Sequence, residues 1–482
     1  MNIVWLKRDI RLQDHRPLYE ASLRGETLVV YVVEPSIWKD EPLSMRHLHF
    51  ILESLEEMQN SFNSIGGKLA VFHGEMIDAL SLLYTQYGPF RLWSHKEYGP
   101  KALLERNKIV KDWMEKNGLH WTEYQATAIS QKSSSIKQFK KEWQVFMDEP
   151  VLPKPIRIQA PDKLPSSFIK DLAGYKKKSQ GIKGEPIRFG QQGGELLAWD
   201  TLQTFLDERF VHYETNQMNP LASSISGSRL SPYLAFGNIS SRDVYQTVLS
   251  SKQKGESHSL EQLDLFLSRI LRRDFLHQRL IENPTLHQYS LHPLFDGVRL
   301  NLSSKEYNRI LQGETGIPIV DAGVRSLKLT GWLNESTRKM IVMFMCQTMR
   351  QSWQKVAFDL GSLFLDYDPG IHYSEIQWQA GTWGSKPPRV VNPIKIGKEQ
   401  DPNGEFVKRY VQELKTVPVE YIHEPWKYPG VFSLQYPAPI VDVVKVNKES
   451  RRKFKEIKAA QTLEKQDDQG KEQDQQQLSF DL

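Results

Sequence analysis

Apolar residues come in short continuous blocks over roughly the first quarter of the chain and at helical spacing through most of the rest. Asn2–Leu6 (NIVWL), Leu28–Val33 (LVVYVV), Leu69–Phe72 and Arg91–Trp93 read as short buried strands, and HWTEYQ at 120–125 as a further strand-like stretch. Between them, Met45–Phe62 and Lys101–Asn117 place apolar residues at helical intervals. Strands alternating with helices in this way predict a doubly wound parallel sheet. No G-x-G-x-x-G follows the first strand, which argues against a nicotinamide dinucleotide site.

The pattern changes at residues 131–198. Prolines at 150, 153, 155, 161 and 165 and the run Lys176–Lys178 predict a linker. Helical periodicity resumes near Gly193 and dominates 199–430, so the fold class is α/β followed by an all-α domain. The longest helical stretch is the hairpin from Gly313 to Gly384. Ile341, Met345, Thr348 and Met349 form one expected helical side, and Phe358, Leu360, Leu363 and Phe364 continue the apolar pattern. Residues 431–482 read as a C-terminal extension. Its composition from about 459 is rich in Gln, Asp, Glu and Lys, which predicts disorder there.

Composition narrows the function classes. The 482 residues are 39% hydrophobic and 25% charged with a net charge of +5, a mild basic excess that suits a polyanionic partner. The single cysteine, Cys346, excludes an internal disulfide and a cysteine-ligated iron–sulfur cluster. Charged residues Lys7, Arg8, Asp9 and Arg11 interrupt the first apolar block, and no apolar run reaches the length of a membrane span. A reducing cytoplasm is the expected compartment.

Three places carry candidate chemistry. In SGSRLSPYLAFGNIS (226–240), small residues at 226–228 let backbone N–H groups approach phosphate oxygens, and Arg229 adds charge. The helix FLSRILRRDFLHQRL (266–280) carries Arg269, Arg272, Arg273 and Arg279, which is either a phosphate-binding face or a solvated one, and Asp274 is available for internal pairing. Within the apolar hairpin lie Arg338, Asp366, Asp368, His372, Gln377, Trp378 and Trp383. Buried charge is costly unless paired, so this set means an internal ion pair or a polar ligand.

The motifs TGxPxVDAxxRxLxxTGW, LDxDPG and QWQAG, with VWLKRDIRLQDHRPL at the N-terminus, WSHKEYGP, the T-S-R-L-S-like loop and HEPW at 423–426, resemble the DNA photolyase and cryptochrome family. The resemblance runs from about residue 2 to about 428. It implies a Rossmann-like antenna domain at 1–130, in which a second chromophore, a folate or a deazaflavin, binds in some relatives. It also implies a helical FAD-binding domain. The implied cofactor contacts are Tyr213, Gly227, Ser228, Arg229, Leu230, Ser231, Arg273, Arg338, Asp366, Tyr367, Asp368 and His372, with Arg338 and Asp366 paired beside the flavin ring. The implied catalytic residues are Trp353, His372 and Trp378, and the implied DNA contacts Arg269, Arg272, Trp378 and Arg389. The implied activity is that of a monomeric deoxyribodipyrimidine photo-lyase, a carbon–carbon lyase acting on a flipped-out dimer. The family also contains blue-light receptors without repair activity.

This chain departs from the family pattern at defined positions. A second stacking tryptophan aligns with Arg272, a lesion-bonding glutamate with Arg269 and a methionine with Lys339. Of the three tryptophans that reduce the flavin in relatives, only the middle one is kept, as Trp353. The inner position is Ile376 and the outer Leu300, so Trp378, Trp383 or Trp332 would have to serve instead. His372 stands where repair enzymes usually have asparagine. The chain ends in QLSFDL, Gln477–Leu482, which resembles the peptide by which bacterial DNA-metabolism proteins dock on the replication sliding clamp.

Overall fold

A computed structural model describes residues 1–129, 136–178, 181–254, 260–300 and 303–467. The chain forms two compact units. One comprises Met1–Val211, Ser228–Thr285 and Gly361–Ile371, and the other His212–Gly227, Leu286–Leu360 and the chain from His372.

The first unit is built on five parallel strands: β1 (Asn2–Leu6), β2 (Thr27–Val33), β3 (Leu69–His73), β4 (Arg91–His95) and β5 (His120–Tyr124), in the order β3-β2-β1-β4-β5. Ile3 pairs with Leu28 on one side and Leu92 on the other. β1 and β2 are buried at every position, as apolar runs covered on both faces must be, whereas edge strand β5 is half-buried or exposed throughout. The chain leaves β1 toward β2 and β3, then returns to β4 on the other flank. The crevice at the C-terminal ends of β1 and β4 is therefore the topological switch point of the sheet, where ligands bind in such folds. Two cavities open there. One of about 120 Å³ is lined by Lys7, Asp9, His95, Arg273, His277 and Asp368 among others. The other, of about 70 Å³, is lined by Trp5, Glu34, Glu41, Glu97, Arg106 and Phe236 among others.

The segment expected as a linker is more ordered than its prolines suggest. Ile136–Asp148 is a helix that buries Phe139, Trp143 and Met147, and the Trp143 indole donates to Asp274 at 2.9 Å. This i, i+4, i+8 stripe precedes the proline-rich part and supplies the packing energy. Further on, Ile169 bridges to Val71 of β3, and Lys176 pairs with Glu53 at 2.6 Å, so the lysine run is partly engaged by protein.

In the second unit, helix Pro318–Thr330 carries Asp321, fully buried. It accepts from the Thr315 and Gly316 amides at 2.7 and 3.0 Å, from the Thr315 hydroxyl, and from the Tyr436 hydroxyl. Ile341, Met345, Thr348 and Met349 are all buried, but not as one face of an α-helix. The α-helix Glu335–Met343 passes into a π-turn, Phe344–Thr348, which rotates the later side chains. Phe358 is 42% exposed, unlike Leu360 and Phe364: it is two residues from Leu360 on the helix Trp353–Gly361, and positions i and i+2 lie on opposite sides of a helix.

Disorder does not begin at 459: a helix spans Val443–Asp467. Phe454 packs on Phe295 with ring centroids 5.5 Å apart, Asn447 donates to the Val391 carbonyl, and Ser450 donates to that of Gln347. These anchors carry the helix into a polar sequence that would not hold one alone. The tail residues Gln477–Leu482 lie outside the described residues. No helix among the described residues is long and apolar enough to cross a membrane.

Candidate functional site

The phosphate-loop candidate starts with a capped helix. Asn219 accepts from the Leu221 and Ala222 amides at 3.0 and 2.9 Å, and Pro220 opens helix Pro220–Ser226. The helix closes at Gly227, where a Cβ would lie 2.7 Å from the Ser223 carbonyl, so only glycine fits. Arg229 then takes a left-handed conformation, φ +60°, and Leu230 a right-handed one, φ −84°, ψ −10°. This succession turns consecutive backbone N–H groups to one side, the geometry of an anion-binding nest. A non-glycine residue there costs about 1–3 kcal/mol, which the surroundings must supply. Gln191 contributes by donating to the Arg229 carbonyl at 2.7 Å. Leu230 is buried, and Tyr213, Ser228 and Ser231 are half-buried.

The D-x-D loop lies in the same unit as Arg229. Its backbone is held carbonyl by carbonyl. Ser44 donates to Ser362, Arg46 to Leu363, His47 Nε2 to Phe364 and Arg8 to Tyr367, at 2.7–2.8 Å. Burial pushes His47 down to about 3, so it is a neutral donor. The Tyr367 hydroxyl donates to Glu41 at 2.7 Å, and burial pushes Glu41 up to about 7 against that bond and nearby Arg8. Asp368 accepts from His277 Nε2 at 2.7 Å, from Arg273 and from the Gly370 amide. Burial alone would raise its carboxyl, but His277 and Arg273 hold it below the usual range. Arg273 also donates to Ser241, Asp274 and the Leu234 carbonyl. It therefore orients Asp368 and ties helix Leu260–Glu282 to its neighbours. On that helix Arg269 and Arg272 are half-buried and Arg279 pairs with Glu282, so the arginines do not form a fully solvated stripe. Asp366 is half-buried within the pinned loop.

Arg338 belongs to the second unit and Asp366 to the first. Arg338 sits one turn after Asn334, the N-cap of its helix, and donates to the Leu333 carbonyl at 3.4 Å. Asn334 is 5% exposed. Its Nδ2 donates to Gln217, but its Oδ1 is buried with no donor among the described residues. Lys339 pairs with Glu335 on its own helix. His372, 7% exposed, donates from Nε2 to the Ala357 carbonyl at 2.8 Å, which leaves its lone pair on Nδ1 when the ring is neutral. Trp353 is fully buried and Ile376 nearly so, while Leu300 is 41% exposed. Trp378 and Trp383 meet edge to face, centroids 6.0 Å apart at 63°. Gln377 donates to the Leu286 and Tyr289 carbonyls and accepts from the Leu291 amide, a purely positioning set. Arg389 is exposed.

Sequence reasoning missed Glu41, His277 and Asn334, which sit outside or between the motifs and become informative only through what they touch. It also missed the buried trio Asp9, His15 and His95, whose ligand atoms lie within 4.8 Å of one another. The trio resembles a metal site, but His15 Nδ1 accepts the Leu18 amide. A neutral ring then carries its proton on Nε2, which lies 3.1 Å from Asp9, leaving no lone pair for a metal there. With His95 at 2.6 Å and the Lys7 amide at 2.6 Å, Asp9 is a structural hub of the β1 loop.

The first unit thus carries an anion nest and a pinned two-aspartate loop, and the second a buried amide oxygen with no donor among the described residues, features that suit a phosphate-bearing ligand. Comparison with known proteins agrees: residues 2–148 match the DNA photolyase family and residues 266–456 the FAD binding domain of DNA photolyase. The chain belongs to the DNA photolyase/cryptochrome family. It is 26% identical to the deoxyribodipyrimidine photo-lyase of Vibrio cholerae, over 95% of this chain and 100% of that one. It is 24% identical to cryptochrome-2 of Gallus gallus, over 95% of this chain and 83% of that one. Its fold is similar to that of a bacterial class III photolyase from Agrobacterium tumefaciens, with a TM-score of 0.84, 24% identity and coverage of 95% and 98%. The residues suit FAD: the nest offers donors to phosphate, and Asn334 Oδ1 offers a buried acceptor.

Proposed function

We propose that this protein is a FAD-dependent, blue-light-driven DNA photolyase that splits pyrimidine dimers flipped out of damaged DNA. Ser228–Ser231, with Gly227 and Tyr213, would hold the diphosphate, and Arg338, Asp366 and Asn334 the ring system. FAD, when bound and reduced, supplies the electron. The protein supplies position and a dry electrostatic setting. His277 and Arg273 keep Asp368 ionised, and the Ser44–Arg46–His47 donors keep the Asp366 loop rigid.

The observation that favours repair is the Trp378–Trp383 pair. A flipped base needs an aromatic platform, and an edge-on partner fixes the platform without the tryptophan that Arg272 replaces. Arg269, Arg272 and Arg389 would contact backbone phosphate. The test is binding of a single-stranded oligonucleotide carrying one dimer. Trp378→Ala should weaken binding of the damaged strand more than that of its undamaged counterpart, and equal weakening of both would remove the platform role. Signalling without repair is the second reading, favoured by the fixed tautomer of His372.

In the strand-end crevice Arg106 bridges Glu34 and Glu97 and lies 4.6 Å from the centre of the Trp5 ring, beside the cavity of about 70 Å³, so a folate or deazaflavin seated against Trp5 would have to displace it. The tail Gln477–Leu482 would dock on the bacterial sliding clamp, with Gln477 as polar anchor and Leu478, Phe480 and Leu482 as apolar contacts.

A further inference from the structure

We infer that the C-terminal helix Val443–Asp467 is a second DNA contact, whose basic face takes the phosphate backbone of duplex flanking the lesion. The inference rests on the DNA reading above and concerns a surface apart from the Trp378–Trp383 platform. The helix divides by period. Val443, Asn447, Ser450 and Phe454 recur at helical spacing and are all buried. Lys448, Arg451, Arg452 and Lys455 recur at i, i+3, i+4 and i+7 and are all exposed, and exposed Lys445 extends the row.

The buried side fixes how the row is presented. Asn447 donates to the Val391 carbonyl at 2.8 Å, and Arg451 donates to that of Val390 at 3.0 Å. The row therefore reaches the residue next to exposed Arg389, already assigned to phosphate. Local acids do not cancel the row. Glu449 is engaged by Arg350 and Lys453 at 3.3 and 3.5 Å, and Glu456 by Arg452 at 2.9 Å. Lys445, Lys448 and Lys455 have no acidic partner among the described residues. At about 1.5 Å per residue the row from Lys445 to Lys455 is about 15 Å long, and one DNA strand carries a phosphate about every 3.4 Å of axis, so the row matches about four phosphates. The one aromatic of the helix, Phe454, faces inward. The outer face thus offers charge without the aromatic anchor that the centre of a protein interface favours.

Salt-dependent binding tests this. Full-length protein is titrated in the dark with a fluorescent undamaged duplex, and log Kd is plotted against log salt concentration. Each phosphate contact contributes about 0.9 to the slope, so Lys448→Gln with Lys455→Gln should lower it by about two. Both side chains are exposed, so the melting temperature should not move. Lys448→Arg with Lys455→Arg keeps the charge and should keep the slope. Lys108→Gln with Lys116→Gln, exposed on helix Lys101–Lys116 of the first unit, removes the same charge elsewhere and should leave the slope unchanged. A slope unchanged in the first pair overturns the inference and leaves the row to an acidic protein partner, and a slope lowered equally by the Lys108 and Lys116 changes overturns it as a net-charge effect. The ratio of affinities for dimer-bearing and undamaged single strands should be the same in Lys448→Gln with Lys455→Gln as in wild type, because phosphate contacts carry no sequence information; a changed ratio overturns the assignment to flanking backbone. Wild type without lesion preference, but with a slope that depends on Lys448 and Lys455, removes the repair reading and leaves this interface standing, whereas wild type that binds no DNA removes both.

Discussion

Replacing Glu41 by Gln should stabilise the protein at neutral and alkaline pH and leave it unchanged in acid. Glu41 is 5% exposed and accepts the Tyr367 hydroxyl at 2.7 Å. Burial is the main reason its carboxyl rises from 4.5 to about 7. Tyr367 and Arg8 oppose the rise, and Glu97 and Asp40 add to it. Below the unfolded value of 4.5 the group is protonated in both states and costs nothing. Between 4.5 and about 7 the unfolded chain ionises while the folded one does not, so stability falls as pH rises. The difference of about 2.5 units corresponds to about 3 kcal/mol at full development, an upper figure since the pocket can relax. Glutamine has the same shape, still accepts from Tyr367 and never ionises. Neutral His47 and His95, held down to about 3 and about 4, act in the opposite direction by losing stability as pH falls below 6.5, but they are common to both proteins and cancel in the difference. Thermal melting of wild type and Glu41→Gln from pH 4.5 to 8 reads that difference. The curves should coincide in acid and separate progressively up to about pH 7. Parallel curves over the whole range would refute the reasoning.

Four further outcomes follow. Asp366→Ala should lower flavin content, since the variant removes a carboxylate from the pinned loop while leaving its backbone donors in place, and normal flavin content in the variant would remove Asp366 from the cofactor site. Trp378→Ala should weaken binding of damaged single strands by about 1–3 kcal/mol, the value of one base–aromatic stack, read by fluorescence anisotropy. Purified protein should absorb as FAD, and the absorbance released on denaturation tells whether a second pigment accompanies it. A labelled peptide ending in Gln477–Leu482 should bind purified bacterial clamp and lose binding when Gln477 and Leu478 are both replaced by Ala; no binding near 100 μM, roughly −5.5 kcal/mol, ends the clamp assignment.

The sheet was legible because buried parallel strands are apolar at every position, and NIVWL and LVVYVV admit little else. The switch-point crevice was not, because it depends on the strand order β3-β2-β1-β4-β5, which strand–helix alternation leaves open. Glu41, His277 and Asn334 are ordinary residues in sequence, and their roles appear only when a tyrosine hydroxyl, a carboxylate or, among the described residues, no donor is found beside them. Proline density hid the Ile136–Asp148 helix, whose Phe139–Trp143–Met147 stripe is clear once it is read at helical spacing. The π-turn at Phe344–Thr348 has no local signal, since FMCQT, all of it buried, fits a straight helix equally well. The polar Val443–Asp467 helix likewise depends on docking contacts far from it in sequence.

The most direct test of the central claim is repair itself. Flavin-loaded, chemically reduced protein is mixed with an oligonucleotide carrying one cyclobutane dimer or one (6-4) lesion, and intact pyrimidines are counted after blue light and after darkness. The account predicts restoration of at least one lesion type in the light, none in the dark, and loss of the lit signal in Trp378→Ala. Fully loaded, reduced protein that restores neither lesion in the light would contradict it and leave the receptor reading in its place.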